Sequence, residues 1–284
     1  MALPRKRRDA VVIGAGPNGL AAAIRLAQSG RRVTLVEGSD RIGGGLRSLD
    51  ATAPGFVHDV CAAVHPLAAA SPYFRRLPLV AHGARWIEPE IPLAHPFDDG
   101  AAAVLDRSLA ITAAGLGPDG PAYARLMAPL ARDAARLLPA LLGPLRPWPL
   151  SAAMLRFAAS GLQPAASFAG QRFRTEAARA LFAGLAAHSV LPLEAPASAA
   201  YGLVLGMLAH VVGWPIAAGG SQTIADALAA IFRSLGGEIV VGRPIAAPAD
   251  LPSADLLVFD LAPVHVAAIA AERLPAPFRR RLAR

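Results

Sequence analysis

Short runs of consecutive apolar residues alternate with helical-period stretches at both ends of this chain. That alternation predicts a parallel α/β unit. Asp9–Ile13 reads as a short buried strand and Gly14–Gly19 as its turn. Asn18–Ser29 follows as a helix, because Leu20, Ile24 and Ala27 recur on one face at helical spacing. Gly30 stands where a helix C-terminal glycine belongs. Arg32–Glu37 (RVTLVE) is a second buried strand, and a strand–helix–strand unit of this length is a right-handed parallel crossover.

The same pattern returns after Gly213. Ser221–Leu235 reads as a helix with Ile224, Leu228, Ile231 and Leu235 on its apolar face, ended by Gly236-Gly237. Strands at Glu238–Val241 and Asp255–Asp260 (DLLVFD) come next, then a helix over Val264–Arg273 that runs into a basic end. The middle has another texture. Leu77–Asp106 suggests irregular strands and loops, Pro121–Leu142 reads as helical, and Gly143–Pro149 (GPLRPWP) as a stiff connector. More helix follows at Met154–Ala159 and Thr175–Ala187. The fold class is α/β: a Rossmann-type dinucleotide domain in two parts, 1–75 and 213–284, with a mixed α+β substrate region inserted over 76–212.

Gly14-Ala15-Gly16-Pro17-Asn18-Gly19 matches G-x-G-x-x-G, and each glycine has a physical task. Gly14 permits the tight turn, Gly16 lets backbone approach a pyrophosphate, and Gly19 lets helix pack closely on strand. The helix N-terminus then offers N–H groups and its positive dipole end to phosphate. Glu37 closes the second strand 23 residues beyond Gly14, placed to accept hydrogen bonds from ribose hydroxyls; its charge would repel a 2′-phosphate. Asp40-Arg41-Ile42-Gly43-Gly44-Gly45-Leu46-Arg47 adds a second glycine turn, for which NAD-binding domains have no general need.

Composition raises two other readings. The chain has 284 residues, 54% of them hydrophobic, with a mean hydropathy of +0.43, which suggests a membrane protein. Yet the most suspicious stretch, Tyr201–Trp214, contains Gly202, Gly206, His210 and Gly213 and falls short of the roughly 20 apolar residues needed to cross a bilayer. Peripheral contact with a membrane surface stays compatible with so greasy a chain. A net charge of +8 raises nucleic acid, but Lys6 is the only lysine and the cations are scattered, apart from Arg5–Arg8 and Arg279–Arg284. Basic ends beside no aromatic platform argue against nucleic acid.

Candidate chemistry outside the glycine turns is sparse. One cysteine, Cys61, excludes an internal disulfide framework and fits a reducing compartment, with cytoplasm the default. Met1–Arg8 reads as a disordered lead-in, not a secretory signal. Histidines 58, 65, 82, 95, 188, 210 and 265 form no i, i+4 pair, so no metal is expected. His58 and Asp59 are adjacent on a strand and face opposite sides; one of them lining a cavity while the other is structural is the reading left open. Asp226 and Asp260 read as ordinary helix-face and strand-end residues, and Trp86, Trp148 and Trp214 as packing. There is neither a nucleophile elbow nor a Walker lysine, which removes hydrolases and triphosphatases.

With its paired glycine turns, the sequence resembles flavoproteins of the amine oxidase and phytoene desaturase group, and most of all the phytoene-desaturase-like oxidoreductases. Pro54-Gly55-Phe56, Asp59 and His65-Pro66 are similar to the family's stretch leading towards the flavin. His95–Gly100 resembles its substrate-domain strand turn, and Gly213-Trp214-Pro215 with Gly219-Gly220 its return to the first domain. The resemblance implies FAD as cofactor and an apolar small-molecule substrate, dehydrogenated or isomerised by hydride transfer to flavin. It implies a binding set of Gly14, Ala15, Gly16, Pro17, Asn18, Gly19, Glu37, Gly38, Arg41, Gly43, Gly44, Gly45, Leu46, Arg47 and Ile245, with Ile245 meeting adenine; no catalytic residue is assigned. Gly45 and Ser39 depart from what amine oxidases carry, which favours the desaturase-like branch. The family's last glycine-rich, flavin-contacting segment has no counterpart before Arg284. The expectation is a truncated product or a second polypeptide that supplies it, with a non-catalytic flavin-binding fragment as the rival reading.

Overall fold

A computed structural model describes residues 8–143 and 151–282. The connector read at Gly143–Pro149 lies, apart from Gly143, outside the described residues, as do most of the lead-in Met1–Arg8 and Trp148. In chain order the elements begin with β1 (Arg8–Ile13), α1 (Pro17–Gln28), β2 (Val33–Val36), β3 (Ser48–Asp50), β4 (Val57–Asp59) and α2 (Pro66–Ala70). Then come β5 (Trp86–Ile87), β6 (Leu93–Pro96), β7 (Ala102–Leu105), α3 (Leu109–Gly115), α4 (Gly120–Leu141) and α5 (Ala152–Gly161). The series continues with α6 (Ala165–Arg172), α7 (Glu176–Ala187), α8 (Ser198–Val211), β8 (Ile216–Ala217) and α9 (Gln222–Ser234). It closes with β9 (Glu238–Val240), β10 (Ala254–Phe259), α10 (Pro263–Ile269) and α11 (Ala276–Leu282).

The chain divides into two compact units, one of Met1–Ala63, Pro78–Arg85 and Ala217–Arg284, the other of Val64–Leu77 and Trp86–Ile216. The first unit is built on a parallel sheet of order β10-β1-β2-β9 among the described residues. Ala10, Val11, Val12 and Leu35 are wholly buried, as expected of strands covered on both faces. α1 packs on α9, and the buried residues of each include small or branched apolar side chains: Leu20, Ala23 and Ile24 on α1, Ile224, Leu228 and Ile231 on α9. β3 and β4 form an antiparallel pair beside this sheet. The α/β class read from the sequence is the fold observed.

One expected element is different. The helix read over Val264–Arg273 ends at Ile269, and Ala271–Arg273 form a short 3-10 turn. Leu274 precedes Pro275 and is extended (φ −103°, ψ 135°), because a residue before proline is pushed out of the helical region. The basic end is therefore a separate helix, α11, carrying Arg279, Arg280 and Arg281 in its last turn.

The second unit joins the antiparallel pair β6–β7 to a helical core. The β6–β7 turn closes through the Phe97 N–H on Ala101 O at 2.8 Å, with Gly100 at φ +83°. Tyr123, Met127, Leu137, Phe168, Phe173, Phe182 and Leu203 fill the core with 1% exposure or less. α8 is helical through Gly202 and Gly206, where a Cβ would come within 2.9 Å of Phe182 Cζ and 2.7 Å of Met127 Cε. These glycines are closures between packed helices. Among the described residues no helix is long and apolar enough to cross a membrane.

Candidate functional site

The candidate site lies wholly within the first unit, where β1 turns into α1. Gly14 has φ +102°, and a Cβ there would overlap the carbonyl oxygen of Asp260. Its N–H donates to Val36 O at 2.8 Å. A Cβ on Gly19 would overlap the carbonyl of Gly14, so helix and turn touch only because that residue is glycine. Gly16 caps α1 in extended conformation, and Pro17 takes the first helical position, where its missing N–H costs nothing.

The second glycine turn folds onto the first. Gly43, at φ +118°, donates its N–H to Ala15 O at 2.8 Å. Gly44, at φ +55°, would bring a Cβ within 3.0 Å of Gly16 Cα. Arg47 holds this turn: its Nε donates to Gly44 O at 3.1 Å and its Nη1 to Ser39 Oγ at 3.4 Å. Leu46 is buried beneath it, while Gly45 faces outward beside Cys61 Sγ.

Glu37 leaves the end of β2 and points back at the first turn. Its Oε2 accepts the Ala15 N–H at 2.8 Å and its Oε1 the Ser39 N–H at 3.0 Å. An ionised carboxylate has about four lone-pair positions, so two remain for a ligand. The loop after β9 closes this side: Arg243 N–H donates to Glu37 O at 3.0 Å and Gly242 N–H to Ser39 O at 2.6 Å.

These turns surround a cavity of about 460 Å³, within the usual size of small-molecule sites. Of the residues read from the sequence, Gly14, Gly16, Pro17, Asn18, Glu37, Gly38, Gly44, Gly45 and Ile245 line it. Ala15, Gly19, Gly43, Leu46 and Arg47 stand behind the wall and hold it, and Arg41 is exposed outside it. Neither His58 nor Asp59 reaches the cavity. Asp59 Oδ1 accepts from Ser48 Oγ at 2.6 Å and Ser221 N–H at 2.7 Å, and His58 Nε2 meets Thr52 Oγ1 at 2.8 Å. Asp226 accepts the Gln222 amide on its own helix at 2.9 Å. Trp214 is core, donating its indole N–H to Leu205 O. Among the described residues no cluster could hold a metal ion.

Asp260 corrects the sequence reading. It is no ordinary strand end: it lines the cavity, and its Oδ2 accepts the Gly19 N–H at 2.7 Å. Burial and the Glu37 carboxylate push its pKa up, against the Gly19 hydrogen bond, and the net shift is upward. Ile13, Ser39, Arg243, Pro244 and Leu261 are the other wall residues outside the binding set read from the sequence. The only sequence signal for Asp260 was a carboxylate at the C-terminal end of a parallel strand, the edge of the sheet where ligands bind.

Comparison with known proteins agrees with the α/β fold of this chain. The NAD(P)-binding Rossmann-like domain family matches residues 12–77. Over 40 residues, 14% of this chain and 15% of the other, the sequence is 58% identical to a thiamine thiazole synthase from Aeropyrum pernix. An oxidoreductase from Methanosarcina mazei superposes with a TM-score of 0.64 at 18% identity, over 96% of this chain and 64% of that one. A putrescine oxidase engineered for altered cofactor binding gives 0.63 at 20% identity, over 97% and 63%. A fatty acid isomerase from P. acnes that produces CLA gives 0.58 at 19% identity, over 93% and 60%. The chain thus spans less than two thirds of the length of these structures. Residues 12–77 match the NAD(P)-binding Rossmann-like domain family, and 96% of the chain shares its fold with the Methanosarcina mazei structure.

Proposed function

We propose that this chain binds FAD and forms the dinucleotide-binding part of an oxidoreductase that dehydrogenates or isomerises an apolar small molecule. The observation that carries the reading is the packing of the Gly43–Gly45 turn on Gly14–Gly19, with the Gly43 N–H on Ala15 O and Gly44 against Gly16 Cα. An NAD site needs one glycine turn; a second one built onto the cavity wall suits a longer cofactor. Glu37 keeps two acceptor positions for ribose hydroxyls and opposes a 2′-phosphate. Gly14, Gly16 and the first turn of α1 hold the diphosphate, and Gly44 and Gly45 continue the cradle beyond it. Ile245 and Pro244 give the adenine an apolar wall.

When bound, the flavin supplies the hydride acceptor. The residues described here bind, orient and shield it. The apolar substrate is the reading favoured by the resemblance to phytoene-desaturase-like enzymes, and a fold neighbour that acts on a fatty acid supports it. An amine substrate is the second reading, supported by the putrescine oxidase neighbour. Because the chain spans under two thirds of those structures, we place the rest of the flavin site on a further segment or a second polypeptide.

The test is a titration of purified chain with FAD and NAD, followed by flavin fluorescence and absorbance. Saturable FAD binding with weaker NAD binding supports the reading. A folded chain that binds NAD and leaves FAD free overturns it.

A further inference from the structure

Asp260 follows β10, and its N–H donates to the Ile13 carbonyl at 2.8 Å, so the sheet itself holds it beside the glycine turn. Its Oδ2 accepts the Gly19 N–H and would stand 3.1 Å from a Cβ on Gly16. The carboxylate therefore fills the corner of the cavity where α1 offers its first donors and the positive end of its dipole. A dinucleotide diphosphate is anionic and needs the same corner. Two negative groups sharing it cost free energy, and a carboxyl group can relieve that cost by taking a proton.

We propose that Asp260 couples dinucleotide binding to proton uptake: its carboxylate holds the Gly19 N–H in the protein alone and becomes neutral when a diphosphate enters. The inference rests on the dinucleotide reading above and adds to it a pH dependence that glycine turns alone do not supply.

The surrounding charges are consistent with this assignment. Glu37 stands on the same wall and disfavours a second ionised carboxylate. Arg243 lines the cavity from the loop after β9. Arg47 is committed to Gly44 O and Ser39. Asp40 and Arg41 follow β2 outside the wall, α1 carries only Arg25, in its last turn, and α10 only His265. Burial is the largest influence on Asp260 and raises its pKa, so less proton affinity has to come from the ligand.

The experiment is FAD titration of the purified chain from pH 5.5 to 8.5, with calorimetry in two buffers of different ionisation heat. The apparent Kd should be flat at low pH and rise about tenfold per pH unit above the free carboxyl's pKa, with proton uptake on binding. Asp260→Asn should abolish the slope and the uptake and bind FAD at least about tenfold more tightly than the unmodified chain at pH 8. Equal slopes and equal proton uptake in the two proteins overturn the proposal. Asp260→Ser replaces Asp260→Asn if circular dichroism shows the latter unfolded. NAD is run in parallel to separate the two claims. Proton-coupled NAD binding without FAD binding sinks the flavin reading and keeps this one, while a folded chain that binds neither overturns both.

Discussion

The N–H of Gly43 and the carbonyl of Ala15 meet at 2.8 Å, joining the two glycine turns into one wall. Ala15 is fixed on its other side, where its N–H lies on Glu37 Oε2. The backbone of one residue, Ala15, thus ties the first turn to both the acidic residue and the second turn. Substitutions in any of the three should be felt in the other two.

Gly14 and Gly30 separate backbone strain from steric closure. Both have positive φ, +102° and +85°, but nothing lies within 4 Å of a Cβ on Gly30. Gly30→Ala should cost about 1–2 kcal/mol, the price of a left-handed alanine, and leave FAD binding unchanged. Gly14→Ala adds a collision with the Asp260 carbonyl, part of a sheet-held backbone, and should cost more than about 3 kcal/mol. Urea unfolding of the two variants measures the difference. Equal losses would mean that the turn relaxes freely.

Glu37 has a structural task and a proposed ligand task, which Glu37→Gln divides. The carboxylate accepts two N–H groups, from Ala15 and Ser39. A glutamine amide can accept only one of them and sets its NH₂ against the other. A loss of about 1–3 kcal/mol of stability follows from that unpaired donor. If Glu37 also holds ribose, FAD affinity falls by a further factor of about 10 to 100. Loss of stability with affinity intact would remove Glu37 from the ligand.

Local pattern made the first unit legible. The strand, turn, helix and second strand from Asp9 to Glu37 are each specified by neighbours in sequence: apolar runs, glycines at fixed offsets, helical spacing at Leu20 and Ile24. The same holds for α9. What stayed hidden depends on partners far along the chain. Asp260 meets Gly19 across 241 positions, and DLLVFD signals only that a carboxylate ends a strand, not that it meets the glycine turn. Gly202 and Gly206 looked like interruptions of an apolar stretch, yet they are the points where α8 approaches Phe182 and Met127. Pro275 was a local signal that the period-based reading of the last helix passed over.

His95 and His210 should make the second unit weaker in mild acid. Burial lowers the pKa of both; nearby His188 adds to the effect at His95, while the Arg107 carbonyl partly offsets it at His210. His210 Nδ1 faces Arg107 O at 3.1 Å, and a carbonyl can only accept, so the proton sits there. Nε2 is then free to accept the Tyr123 hydroxyl at 2.9 Å. A native pKa below the unfolded value means that stability is complete above about pH 6.5 and is lost as pH falls through the native values. Unfolding followed at Trp214, in the second unit, between pH 8 and 5.5 should show that decline. Tyr123→Phe should lower stability by about 1 kcal/mol, with the hydroxyl gone and His210 Nε2 unsatisfied.

Asp119 should govern a separate, more acidic transition. It is 2% exposed and sits at the start of α7, where it accepts the N–H groups of Arg174 and Thr175 and the Thr175 hydroxyl, the last two at 2.7 Å. Burial opposes its ionisation, but the bonds from Thr175 and Arg174 outweigh burial and hold its pKa below the usual value. The sign is opposite to that of a buried acid without donors. The contribution is complete above about pH 4 and disappears as pH falls through the depressed native value. Asp119→Ala strands those donors in a buried corner and should cost about 3 kcal/mol at neutral pH. Asp119→Asn keeps an acceptor and should cost less. Urea unfolding at pH 7 and pH 3 measures both effects: the gap between Asp119→Ala and the unmodified chain should narrow at pH 3. A gap that stays constant would show that packing, not the ionised carboxylate, carries the contribution of this residue.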